Sequence, residues 1–189
     1  MASSINASTS GAGGVITTAD NTGTLQLQSG GTTIATISST GLALNAGNIT
    51  LPSSAAPAFS VYQTSSQTGI SAGTVTKITF DTEEFDTNNN FASSRFTPTV
   101  AGYYQLSGGV QTGGASTVMF LELFKNGSVY KRFGNSSSSN VSQLSGSSLI
   151  YLNGSTDYAE LYFYIATGTS TDNTNQARTY FNGVMVRSA

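Results

Sequence analysis

The densest group of acidic side chains lies between residues 81 and 88, and it is the stretch whose residue types most suggest chemistry. A pair of carboxylates there could act as the acid and base of a glycoside hydrolase, the candidates being Asp81, Glu83, Glu84 and Asp86. Calcium could use oxygen ligands at Asp81, Glu83, Asp86 and Asn88, although an EF-hand loop would need a glycine at its sixth position. A solvated surface loop explains the same composition, and that is the outcome we predict.

Composition excludes most other enzymatic mechanisms. The chain contains neither histidine nor cysteine, so it cannot hold Ser-His-Asp or Cys-His arrangements, and a zinc site would have carboxylates alone. The glycine pairs lack the following lysine and helix of a phosphate-binding loop. We therefore predict a protein that is not an enzyme and that, apart from the calcium candidate, binds no cofactor.

Charge and hydropathy exclude two classes of partner. The formal net charge is −2 with seven basic residues, and only Lys131-Arg132 are adjacent, so no basic stripe is available for nucleic acid. No apolar run is long enough to span a membrane, and the first residues lack the basic and apolar regions of a signal peptide. We predict no nucleic-acid binding and no membrane span.

Strand-forming and turn-forming residues alternate along the chain, and no long stretch has apolar residues at helical spacing, so the predicted fold class is all-β. Turn signals divide residues 56–189 into predicted strands at 58–63, 75–80, 94–98, 102–111, 117–125, 128–133, 141–152, 157–166 and 178–187. Asn126-Gly127 and Asn153-Gly154 supply the positive φ of type I′ turns and predict two hairpins. Short strands without helices indicate a sandwich or jelly roll.

Aromatic residues are concentrated inside these predicted strands. They could form a platform on which sugars stack, or they could be core and subunit interface, and alternate positions along a strand favour the second interpretation. The set is Tyr103, Tyr104, Phe120, Phe124, Tyr158, Tyr162, Phe163, Tyr164, Tyr180 and Phe181.

The N-terminal part differs in composition from the rest, because Asp20 is the only charged residue before Lys77. Residues 1–22 have too little apolar content to offset an ordering cost of roughly 1–2 kcal/mol per residue. We predict that they form an extended arm whose order depends on attachment to another protein.

Residues 23–55 repeat short apolar pairs between turns: Leu25-x-Leu27, Ile34-x-x-Ile37, Leu42-x-Leu44 and Ile49-x-Leu51. Each pair is expected to present two side chains to one face of a short strand, which a single chain cannot bury. Three copies around a common axis would cover these side chains and hydrogen-bond the strand edges between chains. We predict a short trimeric β-stalk, while a flexible linker remains the alternative.

Several motifs occur in order between Pro57 and Val186. They are Pro57-Ala58-Phe59-Ser60, Ile78-Thr79-Phe80-Asp81, Arg95-Phe96-Thr97-Pro98, Ala101-Gly102-Tyr103-Tyr104-Gln105-Leu106, Leu121-Glu122-Leu123-Phe124-Lys125-Asn126-Gly127 and Thr179-Tyr180-Phe181-Asn182-Gly183-Val184-Met185-Val186. In order and spacing they resemble the C1q domain of the C1q and tumour-necrosis-factor-like superfamily. Ala101 in place of the usual proline and Asn182 in place of serine mark a distant relative.

The resemblance implies a ten-stranded jelly roll that forms a tight homotrimer around an apolar, aromatic inner face, with calcium near the apex in some members. Together with the stalk prediction, it gives an expected trimer interface. Its residues are Leu25, Leu27, Ile34, Ile37, Leu42, Leu44, Ile49, Leu51, Tyr103, Tyr162, Tyr164 and Phe181.

A charge-poor arm, a repetitive β-stalk and a trimeric jelly-roll head resemble the layout of tailed-phage virion proteins. We therefore expect a non-enzymatic structural protein on the virion surface, a capsid decoration (cement) protein or head fibre. Residues 1–22 would attach to the major capsid protein or another virion protein. The alternatives are a short tail fibre for host attachment and a bacterial C1q-like adhesin that binds surface glycan.

Overall fold

A computed structural model describes residues 23–29, 31–45, 56–137, 141–172 and 178–189. Every regular element in these ranges is a β-strand, and none of them is a helix, which confirms the all-β prediction. The chain divides into two compact units, residues 1–50 and 51–189. The predicted arm at residues 1–22 and the predicted stalk residues Ile49 and Leu51 lie outside the described residues.

The first unit contains a three-stranded antiparallel sheet. Its strands are β1 (Leu25–Ser29), β2 (Thr32–Ser38) and β3 (Gly41–Leu44), in the order β1-β2-β3. The register places Ile37 opposite both Leu25 and Leu42, and Ala35 opposite both Leu27 and Leu44. Because paired residues share a face, these six side chains make one face apolar.

The other face of this sheet is polar and is held by side-chain hydrogen bonds. Thr33 donates to the Gln26 side chain at 3.1 Å, and Thr36 donates to the Asn45 side chain at 2.8 Å. The β1–β2 register shifts at Gln28, and the backbone N–H of Asn45 donates to the carbonyl of Ile34. Ile34 thus lies opposite Asn45, whose side chain is on the polar face, so the prediction that Ile34 and Ile37 share a face is wrong.

The second unit, which we call the head, is a sandwich of two antiparallel sheets. Its strands are β4 (Ala58–Tyr62), β5 (Thr76–Lys77), β6 (Thr82–Asp86), β7 (Phe91–Ala92), β8 (Arg95–Phe96), β9 (Gly102–Ser116), β10 (Met119–Lys125), β11 (Ser128–Ser136), β12 (Val141–Leu152), β13 (Ala159–Ile165) and β14 (Tyr180–Ser188). The five-stranded sheet has the order β12-β9-β14-β4-β6. The six-stranded sheet has the order β11-β10-β13-β8-β7, with β5 also pairing with β13.

The core lies between the two sheets and is built from alternate residues of each strand. Phe59 stands near its centre, with its ring 4.3 Å from that of Phe96 and 5.1 Å from that of Phe181. All three side chains are fully buried. The buried Tyr104 donates its hydroxyl hydrogen to the Val100 carbonyl at 2.6 Å, and burial raises the pKa of this tyrosine to about 12.

The two predicted hairpins have different outcomes. Asn126 and Gly127 have φ values of 52° and 78° and join β10 to β11, so the type I′ prediction is confirmed. The prediction at Asn153-Gly154 is wrong, because β12 and β13 belong to different sheets. The Asn153 side-chain oxygen instead accepts the backbone N–H groups of Ser155, Thr156 and Asp157, which folds this segment into a connection between the sheets.

The predicted acidic surface loop is also corrected in part. Residues 82–86 form strand β6 at the edge of the five-stranded sheet, paired with β4. Phe85, which lies opposite Ser60, supplies the strand-forming residue in an otherwise polar stretch. The loop is confined to residues 87–90, where Asn89 has a positive φ of 52°.

Candidate assembly surface

The outward face of the five-stranded sheet is the most apolar surface of the head, and we call it the open face. Its interior residues have neutral side chains, and they are Ala58, Ser60, Tyr62, Phe85, Tyr103, Gln105, Ser107, Leu149, Tyr151, Tyr180, Asn182 and Val184. Charged side chains lie at its margins: Glu84 accepts a hydrogen bond from Ser60 at 2.9 Å, and Arg187 pairs with Tyr103 near the end of β14.

One half of the open face is apolar. Tyr103 and Tyr151 lie opposite each other on β9 and β12 with ring centroids 5.5 Å apart, and they are 47% and 40% exposed. Leu149 and Val184 flank Gln105 from either side and are 53% and 44% exposed. A contiguous exposed apolar patch of this kind marks a surface that another molecule covers.

The other half of the open face carries small polar groups. Ser60, Ser107 and Asn182 lie in one row across β4, β14 and β9. They line a groove of about 480 Å³ that Phe85 and Val184 bound on its sides. Hydroxyl and amide groups can hydrogen-bond across an interface without the desolvation cost of a charge, so this half is also compatible with burial.

The outward face of the six-stranded sheet differs because it carries buried ion pairs. Lys77 and Arg95 both contact Glu160, at 2.7 and 2.8 Å, and Arg132 contacts Glu122 at 2.6 Å. The two carboxylate side chains are only 3% and 5% exposed. Burial by itself would raise the pKa of Glu160, but hydrogen bonds from the two cations outweigh it and lower that pKa below its ordinary value.

Aromatic rings on this second face cover one another. Phe120 and Tyr164 are stacked at 4.5 Å with an interplanar angle of 2°, and Phe124 and Tyr162 are stacked at 4.0 Å. The Arg132 guanidinium lies 4.1 Å from the Phe120 ring centre, on the same face of the sheet. Each of these rings therefore has one of its two faces covered by its neighbour, which fits the interpretation that they pack against other side chains.

The predicted interface residues of the head therefore fall in three places. Tyr103 lies on the open face, whereas Tyr162 and Tyr164 are half-buried on the opposite sheet. Phe181 has no exposed surface and packs in the core against Phe59. We correct its assignment, since a fully buried side chain has no surface with which a second copy could make contact.

Sequence reasoning missed the residues that contribute most to the open face, namely Phe85, Leu149, Tyr151, Val184 and Val186. A signal was present, because Leu149-Ile150-Tyr151-Leu152 and Val184-Met185-Val186 are continuous apolar runs. Such a run indicates a strand whose two faces are both buried. In the head, one of those two faces is buried in the core and the other is exposed.

Two carboxylates of the acidic segment are engaged in hydrogen bonds to the loop backbone. The Asp81 carboxylate accepts the backbone N–H groups of Thr64 and Ser65 at 2.7 and 2.8 Å. Burial acts to raise the pKa of Asp81, and these hydrogen bonds lower it by more. Asp86 accepts the backbone N–H of Phe91 at 2.6 Å.

Of the other proposed ligands, Asn88 lies beside Asp86 and donates its backbone N–H to that carboxylate at 3.2 Å, whereas in the described part of the chain Glu83 makes no hydrogen bond to either aspartate. Glu83 lies opposite Val61 in the sheet, and Thr87 donates to the side-chain oxygen of Asn88. Within the described ranges, no three acidic side chains are grouped so that they could hold a metal ion. The Asp81 and Asp86 carboxylates therefore hold the neighbouring loops in place through hydrogen bonds to backbone N–H groups.

Neither a protein-family model nor a curated protein sequence matches the chain. Solved structures do: the globular domain of a zebrafish complement 1qA protein matches with a TM-score of 0.51 and 21% identity, over 70% of this chain and 98% of that one. Murine APRIL at pH 8.0 matches with a TM-score of 0.53 and 12% identity, over 69% and 99%.

The head has a C1q/TNF-like jelly-roll fold. At these identities the likeness establishes the fold alone, and it confirms the fold that the motifs between Pro57 and Val186 indicated. No helix in the described part of the chain is long and apolar enough to cross a membrane.

Proposed function

We propose that this chain is a non-enzymatic structural protein that assembles as a homotrimer through the open face of its head. The observation that carries the proposal is that face itself, on which Tyr103, Leu149, Tyr151, Val184 and Val186 are each at least 40% exposed. Its neutral interior matters because an unpaired charge is costly to bury in a subunit interface. The resemblance to C1q domains favours three copies.

We further propose that the assembly belongs to a virion, with the head exposed at the surface. Support comes from the N-terminal residues 1–22, which carry one charged side chain, Asp20, and cannot bury enough apolar surface alone. Further support comes from the similarity of the arm, stalk and head order to tailed-phage fibres. In this proposal the arm docks on the major capsid protein or another virion protein. Three weakly binding heads would gain avidity for a host surface.

The oligomeric state tests the first part of the proposal. Multi-angle light scattering on the purified full chain should give the mass of three chains, independent of concentration across the micromolar range. A monomer at every concentration would refute the proposed trimer and leave the open face unexplained.

The copy number tests the second part. Quantitative mass spectrometry of purified virions should find tens to hundreds of copies if this is a capsid decoration protein or head fibre. A handful of trimers would favour a short tail fibre. Absence from virions, together with strong binding on a glycan array, would favour the bacterial adhesin instead.

A further inference from the structure

We propose that the β1–β3 sheet is a second self-association surface, in which three copies pack their apolar faces against one another around a common axis. The inference rests on the proposed homotrimer and deepens it by naming the surface and its mode of packing. The face consists of Leu25, Leu27, Ala35, Ile37, Leu42 and Leu44.

The apolar face is unpartnered within the described chain. Its five large side chains are between 42% and 61% exposed, whereas Ala35 is only 5% exposed between Leu27 and Leu44. A contiguous exposed apolar patch marks a surface that another molecule or segment covers. The face is therefore expected to pack on something outside this sheet.

Absence of charge points to further copies of this chain as the partner. Residues 23–29 and 31–45 contain no Asp, Glu, Lys or Arg. Close to a three-fold axis each residue lies near its own copies, so a charge there would repel its symmetry mates, and this sheet carries none.

Association of the heads makes this packing favourable. Linking two binding units in one chain turns the second contact into an intramolecular event with an effective concentration in the millimolar range for a short linker. Three sheets joined to one head trimer would meet at such concentrations. Even a small apolar face would then be sufficient to hold the three sheets together.

The mode of packing differs from strand exchange between chains. Within each chain β2 is already hydrogen-bonded on both sides, to β1 and to β3. The central strand is therefore not available for exchange, and β1 and β3 are the edge strands of the described sheet. The larger surface left to bury is the apolar side-chain face, so we expect the copies to pack face to face. Ile37 lies on the central strand and should be nearest the axis.

The natural absence of cysteine permits a direct test. Ile37→Cys and, as a second reporter on the same face, Leu42→Cys should form interchain disulfides under mild oxidation of the full-length chain, because the axis brings the thiols within the roughly 4.4–6.8 Å Cα separation that a disulfide requires. A trimer closes one bond among three cysteines, so one chain in three should remain unlinked on a non-reducing gel.

The matched control is Ile34→Cys. Ile34 is the same residue type on the same strand, 38% exposed, but on the polar face, and its variant should stay reduced. If the full chain is trimeric by light scattering and both reporter variants stay reduced, or if Ile34→Cys links equally well, the inference fails while the proposed trimer stands. A monomeric chain would overturn both.

Discussion

Tyr103 and Tyr151 lie opposite each other on β9 and β12, with ring centroids 5.5 Å apart on the open face of the head. Neither ring contributes to the core, which lies on the other side of the same strands and contains Tyr104 and Ile150. Both strands therefore carry apolar side chains on both of their faces. This pairing is the basis on which we assign the open face to subunit contact.

A charge in the open face should disrupt assembly. Val184→Lys places an ammonium group beside the apolar half, and an unpaired charge is costly to bury, so we expect the trimer dissociation constant to rise by more than about tenfold. Sedimentation velocity would measure it. Val129→Lys is the matched control, because Val129 is 56% exposed on β11 of the other sheet. Equal effects of the two substitutions would contradict the assignment.

The buried carboxylate of Glu160 should stabilise the fold. In Glu160→Gln the two cations, Lys77 and Arg95, lose their shared ionic partner, and we expect a loss of about 2 kcal/mol in the free energy of unfolding, since both cations keep partial access to water. Urea denaturation would measure the change. Glu83→Gln, at an exposed strand position, should change it by less than about 0.5 kcal/mol.

Acid should destabilise the protein, whereas changes of pH around neutrality should leave its stability unchanged. The folded-state pKa values of Asp81, Asp157 and Glu160 are lowered from ordinary values of 3.8 and 4.5. The unfolded chain therefore takes up protons first as the pH falls, and the stability these groups contribute is full above about pH 5 and lost below it. Without histidine, melting temperatures should be level between about pH 6 and 8. A steep change within that interval would contradict this account.

For Asp157, the lowered pKa follows first from the hydrogen bond with Lys125 and then from that with Asn126. Asp157→Asn should consequently lower stability at neutral pH. It should also make the fall in melting temperature at acid pH less steep. If the melting temperature of the variant falls as steeply at acid pH as that of the original protein, Asp157 does not contribute to the acid destabilisation.

Calcium should have no effect on the melting temperature. The oxygens of Asp81 and Asp86 already accept backbone N–H groups, so a bound ion would have to displace bonds that hold the loops. We expect melting in EDTA and in millimolar calcium chloride to agree within about 1 °C. A rise of several degrees with calcium would reveal preferential binding to the folded state and restore the calcium hypothesis.

Gly183 should tolerate no side chain. A methyl group there would meet Leu106 and the Phe59 ring, the latter at 2.8 Å, inside the core. We expect Gly183→Ala to reduce the free energy of unfolding by about 2 kcal/mol or more, as overpacked cores do. Gly114→Ala, where a methyl group would meet nothing within 4 Å, is the control, and chemical denaturation would compare them. A neutral Gly183→Ala would show that the Leu106 and Phe59 side chains can move aside within the core.

Local features of the head could be predicted from sequence because they depend on neighbouring residues. The strands, the Asn126-Gly127 turn and the motifs around Tyr103 and Phe181 follow from alternation and turn chemistry. The Asn153-Gly154 hairpin could not be predicted, because the same dipeptide also suits a connection between sheets when the asparagine side chain binds the following backbone.

The sequence by itself determined an all-β chain without histidine or cysteine, a charge-poor N-terminal part and a C1q-like order of motifs. Only the tertiary structure decided which aromatic residues are core and which are surface, since Phe181 and Tyr103 look alike in a strand pattern. It also separated Ile37 from Ile34 and divided the acidic residues between β6 and its neighbouring loops. The reason is physical: alternation defines two faces of a strand, but pairing with distant strands decides which face is covered.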